Sequence, residues 1–257
     1  MTAADLPALR VVGLTGVPEV KPGDDLVELT LAAVERARLT VERGDVFVYA
    51  QKIVSKAEGR LVRLDAVSPS GLAREWGSAW KREPRLVELA LREATRIVRM
   101  DRGVLIAETR HGLVCANSGV DASNVRAGEA ALLPVDPDAS ARLLCAALRA
   151  VLHVPIGVIV SDTFGRPWRE GQTNVAIGVA GMRAILDYRG RSDAEGRTLQ
   201  STAIAVADEL AGAAELVMGK ARGVPIAVVQ GTGIGEAGLE DGSGRDLLRR
   251  PQEDLFR

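Results

Sequence analysis

An aspartate and a threonine follow a short apolar run in the second half of the chain. Residues 156–160 are apolar and mostly β-branched, which predicts a buried strand that ends just before Asp162 and Thr163. Oxygen-bearing side chains at a strand end often form binding sites, and a carboxylate beside a hydroxyl suits a magnesium-like ion. Arg166 and Arg169 follow in a loop and offer guanidinium groups for phosphate or carboxylate. The combination favours phosphoryl chemistry over hydride or acyl transfer, although a structural ion pair between Asp162 and one arginine would explain the same charges.

A second acidic segment, residues 117–124, also follows a predicted strand. Its small polar side chains are typical of an ordinary turn. They include Asp121, a second candidate metal ligand, and Asn124, a candidate donor to a phosphate or sugar. Two carboxylate-bearing segments, each leaving an apolar strand, are what a magnesium site with a bound nucleotide requires. We therefore predict that Asp121 and Asp162 share one cavity.

Basic and polar side chains form two further candidate segments. Gln51, Lys52 and Lys56 come soon after a predicted strand, a position from which a lysine can reach a triphosphate. A solvated polar connection is the alternative interpretation, and the absence of the pattern GxxxxGK[ST] excludes a P-loop. The other segment, residues 218–225, follows a predicted helix, and its glycine and basic side chains would also serve as a simple helix terminator.

The composition restricts the class of protein. The chain has 257 residues, of which 47% are apolar and 26% charged, and this is enough for a soluble fold with a real core. A net charge of −1 gives no broad attraction to nucleic acid or to an acidic membrane, so we expect neither partner. No apolar stretch approaches the roughly 18 residues of a membrane span, and no signal peptide is apparent. We expect a cytoplasmic protein.

The cysteines and histidines suggest no familiar site. Cys115 and Cys145 lack the spacing of a zinc site or of a disulfide framework, so free thiols are expected. His111 and His153 are far apart in sequence, and neither lies near a serine or cysteine in a nucleophile motif. A hydrolytic triad is therefore not expected.

The elements that must position these segments alternate irregularly along the chain. Periodicity predicts a helix after Asp24 or Asp25 and further helices at residues 70–80, 85–99, 138–152 and 196–219. It predicts strands at residues 10–14, 46–50, 61–64, 104–108, 113–116, 156–160 and 226–230. The strands outnumber clear βαβ repeats, which favours an α+β fold with mixed sheets. No linker divides residues 1–257, so one domain is predicted, and the segment from Gly231 is predicted to be a mobile loop before a short terminal helix.

Taken together and in this order, five segments resemble the coenzyme F(420):L-glutamate ligase family, also called F(420)-0:gamma-glutamyl ligase. They cover nearly the whole chain, and although each motif is weak, five in register are specific. The matching segments are Gly16-Val17-Pro18 with Pro22-Gly23-Asp24-Asp25, residues 54–60, residues 119–124, residues 162–166 and Met218-Gly219-Lys220.

The resemblance implies a fold, a reaction and a set of partners. The fold would be a single α+β ligase domain of two interlocked lobes that forms an intertwined homodimer. The reaction would be a GTP-dependent amide bond between L-glutamate and the deazaflavin precursor F(420)-0, with extension of a gamma-linked glutamate tail as a further step. Magnesium or manganese would bind with GTP, and a monovalent cation such as potassium would assist. Some members carry a fused C-terminal flavin domain, so this chain is a stand-alone ligase or one domain of a longer protein.

The same resemblance assigns roles to individual positions. Asp121, Asp162 and Thr163 resemble the metal ligands of the family. Some members have a metal-binding acidic residue where this chain has Lys220. The positions that resemble its GTP contacts are Val17, Pro18, Glu19, Val20, Gln51, Lys52, Lys56, Asn124, Met218, Gly219, Lys220, Ala221, Arg222, Gly223, Val224 and Pro225.

The chemistry that this resemblance implies needs charge cancellation more than a nucleophile. Attack of the precursor carboxylate on the γ-phosphate of GTP would give an acyl phosphate, from which the glutamate amine displaces phosphate. Both reactants of the first step are anionic, so Lys56 and Arg166 are the predicted catalytic side chains. Two other classes remain open, a metal-dependent phosphohydrolase and a non-catalytic nucleotide-binding module.

Overall fold

A computed structural model describes residues 7–233 and 241–254. Its strands are β1 Arg10–Gly13, β2 Val46–Ala50, β3 Leu61–Arg63, β4 Ala94–Asp101, β5 Val104–Thr109, β6 Val114–Ala116, β7 Glu129–Ala131, β8 Gly157–Arg166, β9 Arg169–Ala180, β10 Leu186–Asp187, β11 Ala203–Ile204 and β12 Ile226–Gln230. The α-helices are α1 Leu26–Arg36, α2 Gln51–Ala57, α3 Gly71–Trp80, α4 Pro84–Glu93, α5 Pro137–Leu152 and α6 Val206–Met218. Helices and several separate sheets confirm the predicted α+β class.

The largest sheet has five strands in the order β1-β12-β2-β8-β9. Strands β2 and β8 are parallel, and the other neighbours in this sheet are antiparallel. The β2–β8 ladder ends at the pair Ala50 and Ser161, because β2 gives way to α2 at Gln51. Beyond that pair β8 is accompanied only by β9, so the sheet narrows to a hairpin. The narrowing leaves an open space beside β8.

Both faces of the large sheet are covered, which explains the continuous apolar runs of its central strands. Side chains alternate along a strand, so Tyr49 and Val160 lie in a cluster with α1 and α5. Val48 and Ile159 point the other way, into a cluster with α6. The position of β8 between two packed layers holds the start of its polar segment firmly.

A smaller third core lies among α3, α4 and strands β3, β4, β5 and β7. Strands β4, β5 and β6 form a three-stranded sheet, and β3 pairs with β7. Their buried residues pack with α4, as in the contacts of Leu89 with the cluster that contains Leu105 and Ala130. This part of the fold carries Asp121, which pairs with Ala131 in an isolated bridge.

Two predicted helices are shorter than the periodicity indicates. The helix expected at residues 85–99 ends at Glu93, and β4 follows directly. The β-branched residues Thr95, Ile97 and Val98 favour the extended chain, which gains a ladder with β5. The helix expected at 196–219 begins only at Val206, because the preceding residues include β11, paired with β10. In both cases long-range strand pairing overrides a helical pattern.

Two candidate site segments also differ from expectation. The strand predicted at residues 156–160 continues to Arg166, so Asp162 and Thr163 lie within a strand and not after one. Pairing with β9 supplies the backbone partners that sustain the longer strand. Gln51, Lys52 and Lys56 belong to the short helix α2 and not to a solvated connection. Lys56 and Gln51 are buried, with 5% and 2% of their surface exposed.

The last predicted segment falls partly outside the described residues. The loop from Gly231 includes residues 234–240, of which the structure describes nothing. After them come two 3-10 turns, Gly244–Leu247 and Pro251–Glu253, where a short terminal helix was predicted. Within the described parts of the chain, no helix combines the length and the apolar character needed to cross a bilayer.

The α3–α4 corner depends on one carboxylate, which gives a testable prediction. Glu88 accepts hydrogen bonds from the Ser70 backbone N–H and the Arg92 Nε, both at 2.8 Å. The bonds from Ser70 lower the pKa of Glu88 to about 2. Because this folded-state pKa is below the value of about 4.3 for an unfolded chain, the stabilisation is complete above that pH and is lost as the pH falls toward 2.

We expect Glu88→Gln to lower the free energy of unfolding at pH 7 by about 1.5–3 kcal/mol, the value of hydrogen bonds to a charged group. The difference from wild type should shrink between pH 4 and pH 2, as measured by denaturant titration. Glu35→Gln, at an exposed position of α1, is the matched control. Equal stability of Glu88→Gln and wild type at pH 7 would contradict this account.

Candidate active site

A cleft of about 370 Å³ opens where β2 ends and the large sheet narrows. One side is built by α2, the opposite side by β8 and the end of α6, and the segment around Asp121 contributes from the smaller core. The cleft lies at the carboxyl end of the parallel pair β2 and β8, the usual position of ligand sites in parallel sheets. It therefore unites segments that are far apart in sequence.

Asp162 is a poorly compensated charge in the cleft. Withdrawal from solvent raises its pKa to about 6, and the neighbouring Asp121 carboxylate acts in the same direction. The Thr163 backbone N–H, Lys220 and Lys52 oppose this rise without cancelling it. Within residues 7–233 and 241–254, no lysine, arginine or histidine forms an ion pair with Asp162. A bound cation would stabilise the charged form of a carboxylate in this position.

Asp121 faces the same cleft from the other core. Its Oδ2 accepts a hydrogen bond from the Lys52 ammonium at 2.7 Å, and its Oδ1 accepts the Ser123 backbone N–H at 2.7 Å. Lys52 also donates to the Ser123 carbonyl oxygen at 2.5 Å. Partial burial acts to raise the pKa of Asp121, but these bonds and the Lys52 charge together hold that pKa below its ordinary value. Asp121 and Asp162 thus share one cavity, as the sequence predicts.

Lys56 is a buried cation whose ion-pair partner is exposed. It lies one helical turn after Lys52, so both ammonium groups are on the same face of α2. The Lys56 Nζ pairs with Glu19 Oε1 at 2.5 Å, and 75% of the Glu19 side chain is exposed to solvent. Glu19 belongs to the loop that covers one edge of the cleft. An anion entering the cleft can therefore replace an exposed surface carboxylate at a buried lysine.

Thr163 lies in a chain of polar contacts across the hairpin. Its hydroxyl donates to Asn174 Oδ1 at 2.6 Å, and the Lys220 ammonium contacts the same hydroxyl oxygen. Asn174 is 4% exposed and donates through Nδ2 to Glu215 Oε2 at 3.1 Å and to Ser161 Oγ at 3.5 Å. The chain links β8, β9 and α6 at the floor of the cleft.

A one-residue bulge sets which side chains meet in this chain. The β8–β9 register shifts between Val160 and Ser161, after which Thr163 lies opposite Asn174. If the register did not shift here, the pairing would differ by one residue, and different side chains would lie on the cleft face. Asp208 accepts the Ala176 backbone N–H beside the bulge at 2.8 Å. The irregularity of β9 thus determines the composition of the cleft.

Most of the predicted site residues line this cleft. They are Val17, Pro18, Glu19, Val20, Gln51, Lys52, Lys56, Asp121, Asn124, Asp162, Thr163, Met218, Gly219, Lys220, Ala221, Gly223, Val224 and Pro225. Two predicted residues lie outside the lining. Arg166 donates to the Glu170 and Gly171 carbonyl oxygens at the end of its own hairpin. Arg222 donates to the Leu216 carbonyl oxygen near the end of α6.

The prediction omitted other residues that line the cleft, among them Asn174, Glu215 and Ile53. Asn174 is a buried polar residue at the point where the apolar half of β9 begins, and Glu215 is an acidic residue on an apolar stretch of α6. A buried polar residue in an apolar element is a recognisable signal. The signal does not by itself say that the two side chains meet.

The oxygen donors of the cleft fit a hard divalent cation. Asp121 and Asp162 offer carboxylates and Thr163 a hydroxyl, which is the ligand chemistry of magnesium or manganese. Among the described residues, no three acidic, histidine or cysteine side chains come together as a complete metal cage. A magnesium site commonly uses one or two carboxylates and completes its shell with water and substrate phosphate.

Comparison with known proteins identifies the family. Residues 15–231 match the family model described as F420-0:Gamma-glutamyl ligase. The chain belongs to the F(420)-0:gamma-glutamyl ligase family. Within this family, the chain is 43% identical over 250 residues to a protein of Methanothermobacter thermautotrophicus named coenzyme F(420):L-glutamate ligase. The match covers 97% of this chain and 99% of that protein.

Two further relatives carry the same name. The Methanopyrus kandleri protein is 45% identical over 257 residues, which is 98% of this chain and 99% of the relative. The Methanocaldococcus jannaschii protein is 39% identical over 250 residues, with 97% of both chains covered. Similarity to members of the F(420)-0:gamma-glutamyl ligase family thus extends across the whole fold and includes every segment of the cleft.

The raised pKa of Asp162 predicts a gain in stability when its charge is removed. The folded-state pKa of about 6 exceeds the unfolded value of about 3.9, so the charged carboxylate destabilises the metal-free protein above pH 6. This cost falls as the pH drops through 6 and is absent once both states are protonated, below about pH 4.

We expect metal-free Asp162→Asn to exceed wild type in unfolding free energy by about 1–3 kcal/mol at pH 8, the scale of a two-unit pKa shift. The gain should narrow between pH 6 and pH 4 in denaturant titrations with a chelator present. Glu195→Gln, at an exposed position of the loop before Gly196, is a control for charge alone. A variant less stable than wild type at pH 8 would overturn the description of Asp162 as uncompensated.

Proposed function

We propose that this protein is a GTP-dependent ligase that joins L-glutamate to the deazaflavin precursor F(420)-0. The observation that carries the proposal is the meeting of Asp121 and Asp162 with Lys52 and Lys56 in one cleft. Two carboxylates suit a divalent ion, and two lysines on one helical face suit the phosphates of a nucleotide. The family name and the names of the relatives supply the acceptor and the amino acid.

The first chemical step forms an acyl phosphate. A carboxylate oxygen of F(420)-0 attacks the γ-phosphorus of GTP, and the bond from that phosphorus to the β-γ bridging oxygen breaks, so GDP leaves. Both partners carry negative charge, and the site must offset their repulsion. Lys56 is well suited to hold the γ-phosphate, because its stem is buried in α2 and its ammonium faces the cleft. Lys52 would contact the neighbouring phosphate from the same face of the helix.

The second step forms the amide. The amine nitrogen of L-glutamate attacks the acyl carbon, the carbon–oxygen bond to phosphate breaks, and the nitrogen releases its proton as inorganic phosphate departs. No side-chain nucleophile is required, because positioning and electrostatics supply most of the acceleration. Arg166 remains a predicted catalytic residue for a substrate carboxylate. From its observed position on the hairpin, it would act only if the hairpin approached the bound substrate.

A bound magnesium or manganese ion would polarise the phosphoryl oxygens and offset their charge. In our proposal Asp121, Asp162 and Thr163 hold this ion, and potassium assists as a monovalent cation. The rest of the nucleotide would lie along the loop with Val17, Pro18 and Val20, beside Asn124 and the segment at residues 218–225. Both walls of the cleft are therefore assigned to one nucleotide.

The intertwined homodimer with two interlocked lobes stays a prediction of the resemblance. The edge strand β4 gives it physical support, because Ile97 and Val98 are each 42% exposed on a strand that pairs on one side only. Apolar side chains on an open strand edge are typical of surfaces that another chain covers.

The decisive experiment is a product assay. Incubation with GTP, Mn²⁺, L-glutamate and F(420)-0 should yield one GDP and one phosphate for each glutamate added, read by mass spectrometry. We expect Asp162→Asn to slow this turnover at least about a hundredfold, the scale of losing one preorganised electrostatic group. Phosphate release without glutamate would indicate a phosphohydrolase, and nucleotide binding without any product would indicate a binding module. Normal turnover by Asp162→Asn would remove the metal assignment.

Lys56 allows a separate test of the nucleotide assignment. We expect Lys56→Ala to weaken GTP binding by about tenfold or more, since one desolvated charged contact is worth roughly 1.5–3 kcal/mol. Glutamate binding should change much less. Isothermal titration calorimetry with each ligand separates the two effects, and Lys21→Ala, at an exposed lysine, serves as the control. An unchanged GTP affinity would reject the role of Lys56.

A further inference from the structure

We infer that Asn174 and Glu215 are positioning residues that fix the direction of the Thr163 hydroxyl proton and so make its oxygen an acceptor for cations in the cleft. The inference deepens the proposed function, since it rests on a cation being bound beside Thr163. It concerns two residues outside the set that sequence reasoning assigned to the site.

The first constraint comes from Glu215. An ionised carboxylate only accepts hydrogen bonds, so the Asn174 group 3.1 Å from Glu215 Oε2 must be the amide NH₂. A second acceptor, Ser161 Oγ, lies 3.5 Å from the same nitrogen. The Asn174 amide is buried and cannot turn to solvent. Glu215 therefore directs Asn174 Oδ1 toward Thr163.

The second constraint concerns Thr163 itself. Asn174 Oδ1 is an acceptor only, so at 2.6 Å the Thr163 hydroxyl must be the donor. A hydroxyl has a single proton, and this bond uses it. The lone pairs of Thr163 Oγ1 are then left for partners that carry positive charge or a donor.

An independent contact agrees with this orientation. The Lys220 ammonium, which has no acceptor, contacts Thr163 Oγ1 from the cleft side. This contact is favourable only if Thr163 Oγ1 accepts a hydrogen bond from the ammonium. The hydroxyl proton of Thr163 must then point to Asn174. Both ends of the chain thus impose the same direction, from Thr163 to Asn174 to Glu215. The register of β8 and β9 makes Thr163 and Asn174 direct cross-strand partners.

The substitution Glu215→Gln would release this constraint. The amide that it introduces can donate as well as accept, so Asn174 could turn over and present its NH₂ to Thr163. The Thr163 hydroxyl would then be free to point its proton at an incoming cation. Because second-layer partners of metal ligands commonly contribute about tenfold or more to metal affinity, we expect Glu215→Gln to weaken Mn²⁺ binding by about tenfold.

A double-mutant cycle separates this positioning role from a simple loss of negative charge. Mn²⁺ affinity is measured by electron paramagnetic resonance of the folded, full-length protein, for Glu215→Gln, Thr163→Val and the double variant. If Glu215 acts through the hydroxyl, Glu215→Gln costs about tenfold in wild type but less than about twofold in the Thr163→Val background. Thr163→Ser keeps the hydroxyl, and in that background the tenfold cost should return.

Two results would overturn the inference. Equal losses from Glu215→Gln with and without the Thr163 hydroxyl would mean that Glu215 acts by charge alone. No loss from Glu215→Gln in wild type would mean that the chain has no influence on the cation. Glu209→Gln, an exposed residue of the same helix, is the matched control for net charge and should leave Mn²⁺ affinity unchanged. Absence of Mn²⁺ binding by wild type would contradict the proposed function itself. This result differs from both results that overturn the inference, because in each of those wild type still binds Mn²⁺.

Discussion

The carboxylate of Asp162 is held in a place where it cannot be well solvated and has no ion-pair partner among the described residues. It is held there because β8 continues past the end of β2, in a sheet that is packed on both faces. A rigid strand cannot turn the side chain outward. The fold therefore keeps an unfavourable charge, a frequent property of sites whose ligand supplies the compensation.

Each lysine of the cleft is paired with an oxygen-bearing side chain. Lys52 is paired with Asp121, Lys56 with Glu19, and Lys220 contacts Thr163. Each lysine is thus paired with an oxygen atom of the protein. That oxygen could instead bind a cation, or a phosphate could replace it at the lysine. Binding of a metal–nucleotide complex would exchange these internal pairs for pairs with the ligand, so that little charge is left uncompensated at any stage. The cleft is thus prepared for a ligand that carries both signs of charge.

The sequence predicts the elements correctly where local pattern and local structure agree. The apolar runs at residues 46–50 and 226–230 are strands, and the amphipathic segment at 138–152 matches α5. The convergence of Asp121 and Asp162 was also predicted, because both follow apolar runs. The polar character of residues 161–166, however, wrongly indicated the end of a strand. Pairing with β9, a partner visible only in three dimensions, sustains β8 there.

The positions of Asn174 and Glu215 could not be derived from the sequence. Asn174 meets Thr163 through a one-residue bulge in β9, and nothing in the residue types of that strand fixes where the register shifts. Helix α6 brings Glu215 to the same point, although it begins at Val206 and not at the predicted residue 196. Local patterns thus indicated which segments form the site, whereas tertiary packing decides which atoms touch.

The central claim is that Asp121 and Asp162 bind one cation together with a guanine nucleotide. Anomalous diffraction from crystals grown with Mn²⁺ and a non-hydrolysable GTP analogue tests it most directly. The account predicts a manganese peak within about 2.0–2.3 Å of oxygens from both carboxylates, with the Thr163 hydroxyl and a phosphate oxygen in the same shell. Manganese bound elsewhere, with the ion pair between Lys52 and Asp121 intact and Asp162 without a ligand, would contradict it.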